Sequence, residues 1–242
     1  MSYLIALDDG HGLFPTPTPG KRTPMVPEIN RRIYENEFNR EVVKYLHQEL
    51  IRCGFRTLLV APTDEDVPLS TRTRLANQKG AHLYVSVHYN AGGGSGVETY
   101  HFPGSVQGAK AARTIHKYVI QGTKQRDRGV KTANFHVLRE TKMPSVLIEY
   151  GFMDDPSLHE ARLMLNVAFQ QECARETAQG ICEYFGIAYK PPVNQKTKPF
   201  YDVVVNGADR ASLSARNIKE LSAYLVKKLN EGVDSITFNK RK

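Results

Sequence analysis

The stretch SVLIEYGF at positions 145–152 has the composition of a buried strand that runs into an acid. Four residues with strand character, Ser145 to Ile148, lead directly into Glu149, and Gly151 then interrupts the run. A carboxylate at the end of an apolar strand is costly to bury unless it has a partner. The pattern therefore predicts a functional role for Glu149 and draws attention to other strands that end in polar side chains.

Two other short apolar runs end in the same way. Residues 3–7 predict a first strand that leads into a loop carrying His11 between two glycines, and residues 83–87 predict a strand that ends at His88. In parallel α/β sheets, ligands bind beyond the carboxyl ends of the strands. We therefore expect His11, His88 and Glu149 to meet if their strands are neighbours.

A fourth polar residue comes from a predicted helix over residues 31–52. At 100° per residue, Glu35 and Asn39 fall on the same stripe as Val42 and Leu46, which is the apolar and inward side. An acid on that side needs a cationic partner or a raised pKa. Glu35 is therefore the second carboxylate expected near the strand ends.

These four side chains have the chemistry of a catalytic zinc site. Two imidazoles and one carboxylate, with a fourth position open, form a typical ligand set, and a further carboxylate can act as general base. Taken singly, a histidine after a strand is more often a hydrogen-bonding loop residue, and a glutamate at a strand end is more often on the surface. Four such residues at matching positions favour the zinc site.

The alternation of strands and helices predicts the fold class. It indicates an α/β domain with a mostly parallel, mixed, twisted sheet and helices on both faces. Besides the elements already named, we expect strands at 57–60, 97–102 and 135–138, helices at 68–79, 106–121, 156–164 and 169–185, and a polar loop at 127–134.

The C-terminal quarter differs in composition. Residues 188–199 are rich in proline and predict a linker, and residues 200–242 predict a small βαβ module with strands at 200–205 and 232–238 and a helix at 211–230. From Ile187 onward the chain carries eleven Lys and Arg against five Asp and Glu. This basic excess predicts a polyanionic partner, and the small core predicts docking or dimerisation.

The bulk composition sets further limits. The chain has 242 residues, a net charge of +8 and no stretch near the roughly 20 apolar residues of a membrane helix. The N-terminus lacks a basic region and a long apolar run, so we expect no signal peptide and synthesis in the cytoplasm. The three cysteines form no Cys-x-x-Cys motif, and we expect buried, reduced thiols that bind no metal.

The motifs, taken in chain order, resemble the zinc-dependent N-acetylmuramoyl-L-alanine amidases, the cell-wall amidases of autolysins, sporulation lysins and phage endolysins. The matching segments are DDGHG at 8–12, Glu35 with Asn39, RTRLAN at 72–77, SVHYNA at 86–91 and LIEYGF at 147–152. The resemblance covers about residues 2–186 and implies a catalytic domain over 1–187. The family usually has proline where Asp9 stands.

The resemblance implies a role for each site residue. The family's zinc ligands fall on His11, Glu35 and His88, and its catalytic glutamate falls on Glu149. The implied reaction is hydrolysis of the amide between N-acetylmuramic acid and the L-alanine of the stem peptide, with Glu149 taking a proton from water and passing it to the leaving amine. Asn90 either orients the His88 loop or holds substrate.

The implied partner is peptidoglycan, and the basic module looks similar to wall-targeting modules that bind anionic wall polymers. We expect no nucleic acid as partner, because the module lacks interleaved aromatic residues. Without a signal peptide, the enzyme would reach the wall after holin-type release or cell lysis, which favours a phage or prophage endolysin. The alternatives are a zinc peptidase acting on stem peptides and a wall-binding protein without activity.

Overall fold

The computed structural model describes residues 2–192, 200–205, 209–214 and 236–240. The chain divides into two compact units, residues 1–190 and 191–242. Residues 189 and 190 pack against the first unit: the Tyr189 hydroxyl donates to Glu49 Oε2 at 2.6 Å, and Arg52 Nε donates to the carbonyl of Lys190 at 2.8 Å. Tyr189 and Lys190 thus belong to the first unit, and the linker over residues 188–199 stays a prediction.

A six-stranded sheet forms the centre of the first unit. Its strand order is β2-β1-β3-β6-β4-β5, and neighbours are parallel except for β4 and β6. The predicted mostly parallel, mixed sheet is confirmed, and β1, β3 and β6 are neighbours. The strands are β1 (Leu4–Asp8), β2 (Arg56–Leu59), β3 (Leu83–Asn90), β4 (Val97–His101), β5 (Asp127–Thr132) and β6 (Ser145–Phe152).

Helices cover both faces of this sheet, as predicted. They are α1 (Glu35–Cys53), α2 (Leu69–Gln78), α3 (Val106–Gly122), α4 (His136–Arg139), α5 (His159–Leu163) and α6 (Val167–Phe185), with a single 3₁₀ turn at Pro27–Ile29. Helices α1, α3 and α6 bury the larger core, which includes Phe38 and Ile115. Helices α2 and α4 bury a smaller core on the opposite face.

The pleat of β3 separates core residues from polar ones. Val85 and Val87 point into the larger core, whereas Tyr84, Ser86 and His88 alternate with them and point to the face that carries α2 and α4. We call this second side the site face. Because β3 and β6 pair in register, Glu149 lies on the site face beside His88.

Three of the differences between predicted and observed boundaries concern the elements that carry Glu35, His88 and Glu149. Helix α1 begins at Glu35 and not at residue 31, because Asn30 has a left-handed φ of 48° and the Glu37 carboxylate accepts from the Tyr34 N–H at 2.8 Å, closing the first turn. Strands β3 and β6 continue past their apolar runs, so His88 and Glu149 lie within strands. Pairing between the two strands stabilises these polar extensions.

In the first unit, two element predictions were wrong. Residues 127–132 form strand β5 and not a polar loop; β5 is an edge strand that pairs with β4 alone and is mostly half-buried, so it needs no apolar pattern. Residues 136–139 form a helical turn and not a strand. An apolar run as short as FHVL does not distinguish the two conformations by its periodicity.

The described part of the second unit contains three strands, β7 (Phe200–Val205), β8 (Asp209–Ser214) and β9 (Ile236–Lys240). The predicted strand at 200–205 is confirmed. The predicted βαβ arrangement is wrong for the described part, because β7 pairs antiparallel with both β8 and β9, whereas a βαβ unit joins parallel strands. Residues 211–214 belong to β8, and the rest of the predicted helix, 215–230, lies outside the described residues.

Two smaller expectations concern the membrane and the cysteines. In the part of the chain that the structure describes, no helix is long and apolar enough to cross a membrane. Cys53, Cys173 and Cys182 are free and buried, as expected.

Glu176 provides a test of packing between α3 and α6. The side chain is 6% exposed, and burial, with the nearby Glu172 carboxylate, raises the pKa of Glu176 to about 7. An acid whose pKa is raised on folding destabilises the folded state as pH rises from its unfolded pKa toward its folded pKa. The penalty of Glu176 should therefore develop between about pH 4.5 and pH 7.

We predict that Glu176→Gln changes the free energy of unfolding more favourably at pH 8 than at pH 4, by about 1–3 kcal/mol. The reason is that the glutamine amide never ionises, whereas the buried glutamate does at pH 8. Urea unfolding followed by circular dichroism at both pH values measures this difference. Glu65→Gln, which removes an exposed carboxylate, serves as the control substitution. Equal effects of Glu176→Gln at the two pH values would contradict the prediction.

Candidate metal centre

The His11 loop depends on a close approach between backbone and imidazole. Gly10 has a φ of +47°, and a Cβ at this position would lie 2.5 Å from His88 Cε1, so only glycine fits. His11 itself has a left-handed φ of 58°. Two buried side chains hold this conformation: Asn36 Nδ2 donates to the carbonyl of Gly10 at 2.7 Å, and Arg72 donates to that of His11 at 2.8 Å.

Glu35, the first residue of α1, lies between two imidazoles and is 1% exposed. Its Oε1 is 2.9 Å from His88 Nδ1 and accepts from the Tyr89 N–H at 3.1 Å. Its Oε2 is 3.2 Å from His11 Nε2 and 3.9 Å from Lys21 Nζ. The first helical turn, the β1 loop and the end of β3 therefore meet at one carboxylate.

The donor atoms of His11, Glu35 and His88 all lie within 4.8 Å of one another. His11 Nε2 and Glu35 Oε2 are both buried. They lie 3.2 Å apart, but neither atom has a hydrogen-bond partner among the described residues. The two rings are nearly perpendicular, with centroids 5.1 Å apart. Buried donor atoms that converge on one point, two of them without a partner, are the arrangement that a divalent cation fits.

The electrostatics of the cluster couple its members. Burial alone would raise the pKa of Glu35, but the two imidazoles outweigh it and lower that pKa. Burial favours the neutral ring of His88, yet the Glu35 carboxylate, with Glu149 and Asp8 farther away, raises the pKa of His88. The cluster thus favours the ionised carboxylate that a metal ligand requires.

His88 is oriented from behind by a polar chain. Its Nε2 is 3.0 Å from Ser86 Oγ, and the Ser86 hydroxyl donates to Asp8 Oδ2 at 2.9 Å. Asp8 is 1% exposed and also accepts from the Tyr84 hydroxyl at 2.8 Å and from Arg72 at 2.6 Å. Burial would raise the pKa of Asp8, but the Arg72 guanidinium outweighs it and keeps that pKa low.

Glu149 lies in a row of polar residues across the site face. It pairs in register with His88 on one side and with Glu98 on the other. Its Oε2 is buried and has no partner among the described residues. Burial, with the Glu35 and Glu98 carboxylates, raises the pKa of Glu149 to about 8, although His88 and Lys21 oppose the shift. The four sequence-predicted residues thus lie together.

A family model described as N-acetylmuramoyl-L-alanine amidase matches residues 5–183, which include all four of these residues. The chain belongs to this amidase family. Solved structures agree: the catalytic domain of the amidase CwlV from Bacillus (Paenibacillus) polymyxa var. colistinus superposes with a TM-score of 0.67 at 29% identity, covering 77% of this chain and 99% of that one. An amidase from Clostridium difficile 630 gives 0.67 at 31% identity, covering 76% and 97%.

Curated relatives extend the comparison. The chain is 43% identical over 132 residues to the amidase CwlM of Bacillus licheniformis (54% of this chain, 51% of the relative) and 42% identical over 135 residues to a sporulation-specific amidase of Bacillus subtilis strain 168 (55% and 52%). It spans about half the length of these two proteins. It is 33% identical over 199 residues to the endolysin of Bacillus phage SPP1 (78% and 69%).

Both amide atoms of Asn90 have a hydrogen-bond partner within this amidase domain. Its Nδ2 donates to Glu98 Oε1 at 2.7 Å, and its Oδ1 accepts from the Ala91 N–H at 2.8 Å. Of the two roles expected from the sequence, this geometry favours orientation of the segment after His88 over contact with substrate.

Several residues of the site were missed in the sequence. Asp8 and Ser86 lie in the matching segments but were given no role, because that role depends on contacts with Arg72 and His88 that the sequence alone does not indicate. Glu98 was visible as an acid in a predicted strand, but its two cationic partners, Arg128 and Lys131, lie on β5, which was predicted as a loop. Without the correct strand pairing, the sequence offers no signal that connects them.

Arg72 is the clearest structural residue of the domain. It is fully buried and contacts the carboxylate of Asp8 and the carbonyls of His11 and Val67. Removing it leaves the Asp8 charge buried without its cation. Arg74, two residues along α2, is exposed and is a matched control.

We predict that Arg72→Met lowers the free energy of unfolding by about 3–5 kcal/mol at pH 7, whereas Arg74→Met changes it by less than about 0.5 kcal/mol. Urea unfolding followed by circular dichroism provides the measurement. Similar effects of the two substitutions would show that the Arg72–Asp8 contact does not stabilise the loop.

Proposed function

We propose that this chain is a zinc-dependent hydrolase that cleaves the amide between N-acetylmuramic acid and the L-alanine of the peptidoglycan stem peptide. His11, Glu35 and His88 hold the zinc ion, and Glu149 is the general base. The observation that carries the proposal is the convergence of three donor atoms within 4.8 Å, beside Glu149, in a member of the amidase family.

The donor set fits zinc better than a hard cation. Imidazole nitrogen and carboxylate oxygen suit Zn²⁺, and three protein ligands leave a position open, as in catalytic sites. When bound, zinc supplies a Lewis acid that polarises the scissile carbonyl and acidifies water. His88 Nε2 is hydrogen-bonded to Ser86, which is in turn hydrogen-bonded to Asp8, and these bonds favour the tautomer in which His88 Nδ1 can bind a metal. Such hydrogen bonds to a metal-binding histidine usually raise metal affinity.

Glu149 has the properties of a proton carrier. Its buried Oε2 has no partner among the described residues, so it is free to accept a proton from water. Burial and the neighbouring carboxylates raise the pKa of Glu149 to about 8, and a cation bound at the adjacent ligands would lower this pKa toward 7. A base whose pKa lies near the working pH can take a proton and return it to the leaving amine.

The biological role we propose is that of a lysin. The similarity to the SPP1 endolysin extends over 78% of this chain and supports a phage or prophage role, while the sporulation-specific relative supports the alternative of mother-cell lysis. Binding of anionic wall polymers by residues 200–242, dimerisation through them and holin-type release stay predictions. Expression of the chain in a host with and without a holin, followed by culture turbidity, would test the release route.

We predict that Glu149→Gln reduces wall hydrolysis by about 10²–10⁴-fold, because the amide cannot accept the proton. The zinc content should stay at one ion per chain, since Glu149 is not a ligand. The assay follows the release of L-alanine amino termini from purified walls, with the exposed Glu65→Gln as control. Release of amino termini from residues other than L-alanine would instead indicate a stem peptidase. Full activity of the Glu149→Gln variant would exclude Glu149 as the general base.

We predict that zinc, added to chelator-treated protein at about 100 times its dissociation constant, stabilises the fold by about 2.7 kcal/mol. His11→Ala should weaken zinc binding more than about a hundredfold, because it removes one of three ligands. The exposed His159→Ala is the control and should bind normally. Thermal unfolding and competition with a chelating dye measure both effects; unchanged binding in His11→Ala would refute the ligand assignment.

A further inference from the structure

Glu98 lies on the site face of β4 and is 1% exposed. Its Oε1 accepts from Asn90 Nδ2 at 2.7 Å and from the Tyr100 hydroxyl at 2.6 Å. Its Oε2 accepts from Arg128 Nε at 2.7 Å and from Lys131 Nζ. Four donors fill all the acceptor positions of one carboxylate, so Glu98 has no capacity left for proton transfer or substrate.

Two cationic side chains, Arg128 and Lys131, bind the Glu98 carboxylate. One carboxylate balances one positive charge, whereas Arg128 and Lys131 bring two. Arg128 uses its Nε for Glu98, rests its guanidinium on the Phe152 ring at 4.7 Å and makes a long contact of 3.4 Å to the carbonyl of Ser95. The side chains of Arg128 and Lys131 are still 27% and 37% exposed. Two positive charges are therefore held in place around one carboxylate, at an accessible edge.

This charge lies at a defined distance from the catalytic row. Glu98 pairs in register with Glu149, and Glu149 pairs with His88. Since neighbouring strands are about 4.8 Å apart, the cationic groups on Glu98 lie roughly 5–10 Å from the Glu149 carboxylate. Two residues of an extended peptide span about 7 Å. A peptide cut beside Glu149 can thus place its second residue at Arg128 and Lys131.

We propose that Arg128 and Lys131 form a carboxylate subsite that binds the α-carboxylate of the second residue of the stem peptide. The inference rests on the proposed amidase function, in which L-alanine is the first residue. The second residue of a peptidoglycan stem is a glutamate linked through its γ-carboxyl, so its α-carboxyl is either free or amidated. The subsite selects the free carboxylate, because a carboxamide cannot form charge-assisted hydrogen bonds of equal strength.

The test uses two uncross-linked peptidoglycan polymers that differ only in whether this α-carboxyl is free or amidated. The zinc-loaded full chain should cleave the free form with a kcat/KM about tenfold to a hundredfold higher. Lys131→Met and Arg128→Gln should each bring this ratio close to one, while Lys131→Arg should retain most of it. Lys110→Met, an exposed lysine on α3, is the matched control and should keep the full ratio.

The outcomes separate the subsite from the proposed function. Cleavage of neither polymer would overturn the amidase function and the subsite with it. Equal cleavage of both by the unmodified chain would overturn the subsite alone. If Lys131→Met and Arg128→Gln slow both polymers by the same factor, the cations serve only to hold Glu98, and the subsite is also overturned. Circular dichroism confirms that each variant is folded.

Discussion

The Glu35 carboxylate, buried between two imidazoles, is the contact on which the rest of the site depends. A carboxylate that is 1% exposed is stable only with partners, and the partners come from the loop after β1 and from the end of β3. The loop in turn needs glycine at position 10, because the His88 ring occupies the space of a side chain there. One buried charge thus constrains three segments that are distant in the chain.

Two neighbouring carboxylates on the site face have opposite proton affinities, and the reason is the number of donors each receives. Glu98 accepts four hydrogen bonds, which outweigh its burial and lower its pKa to about 2. Glu149 is next to it on β6 and has an unpartnered oxygen, so burial and neighbouring acids raise its pKa to about 8. Environments that separate the pKa values of paired acids leave one of them able to exchange protons near neutral pH.

The sequence predicted the parts of this arrangement that depend on burial. The apolar runs before His11, His88 and Glu149 indicated strands, and helical periodicity placed Glu35 on the inward side. It did not predict edge strand β5, whose stability comes from pairing with β4 and not from an apolar pattern. The resemblance singled out Arg72 and Asp8 in separate motifs and favoured a bracing role for Arg72, but it did not indicate that the two side chains contact each other, because they are far apart in the sequence.

The Glu98 network shows how a buried charge can serve recognition at the surface. Free arginine and lysine side chains lose rotamer entropy when they bind a ligand, and this loss weakens binding. Here the hydrogen bonds to Glu98 and the stacking of Arg128 on Phe152 fix both side chains during folding. The rotamer entropy of Arg128 and Lys131 is therefore lost during folding and not on binding. The electrostatic attraction to a carboxylate then contributes more fully to the free energy of binding. A buried acid that takes no part in proton transfer can in this way shape the substrate preference of the site beside it.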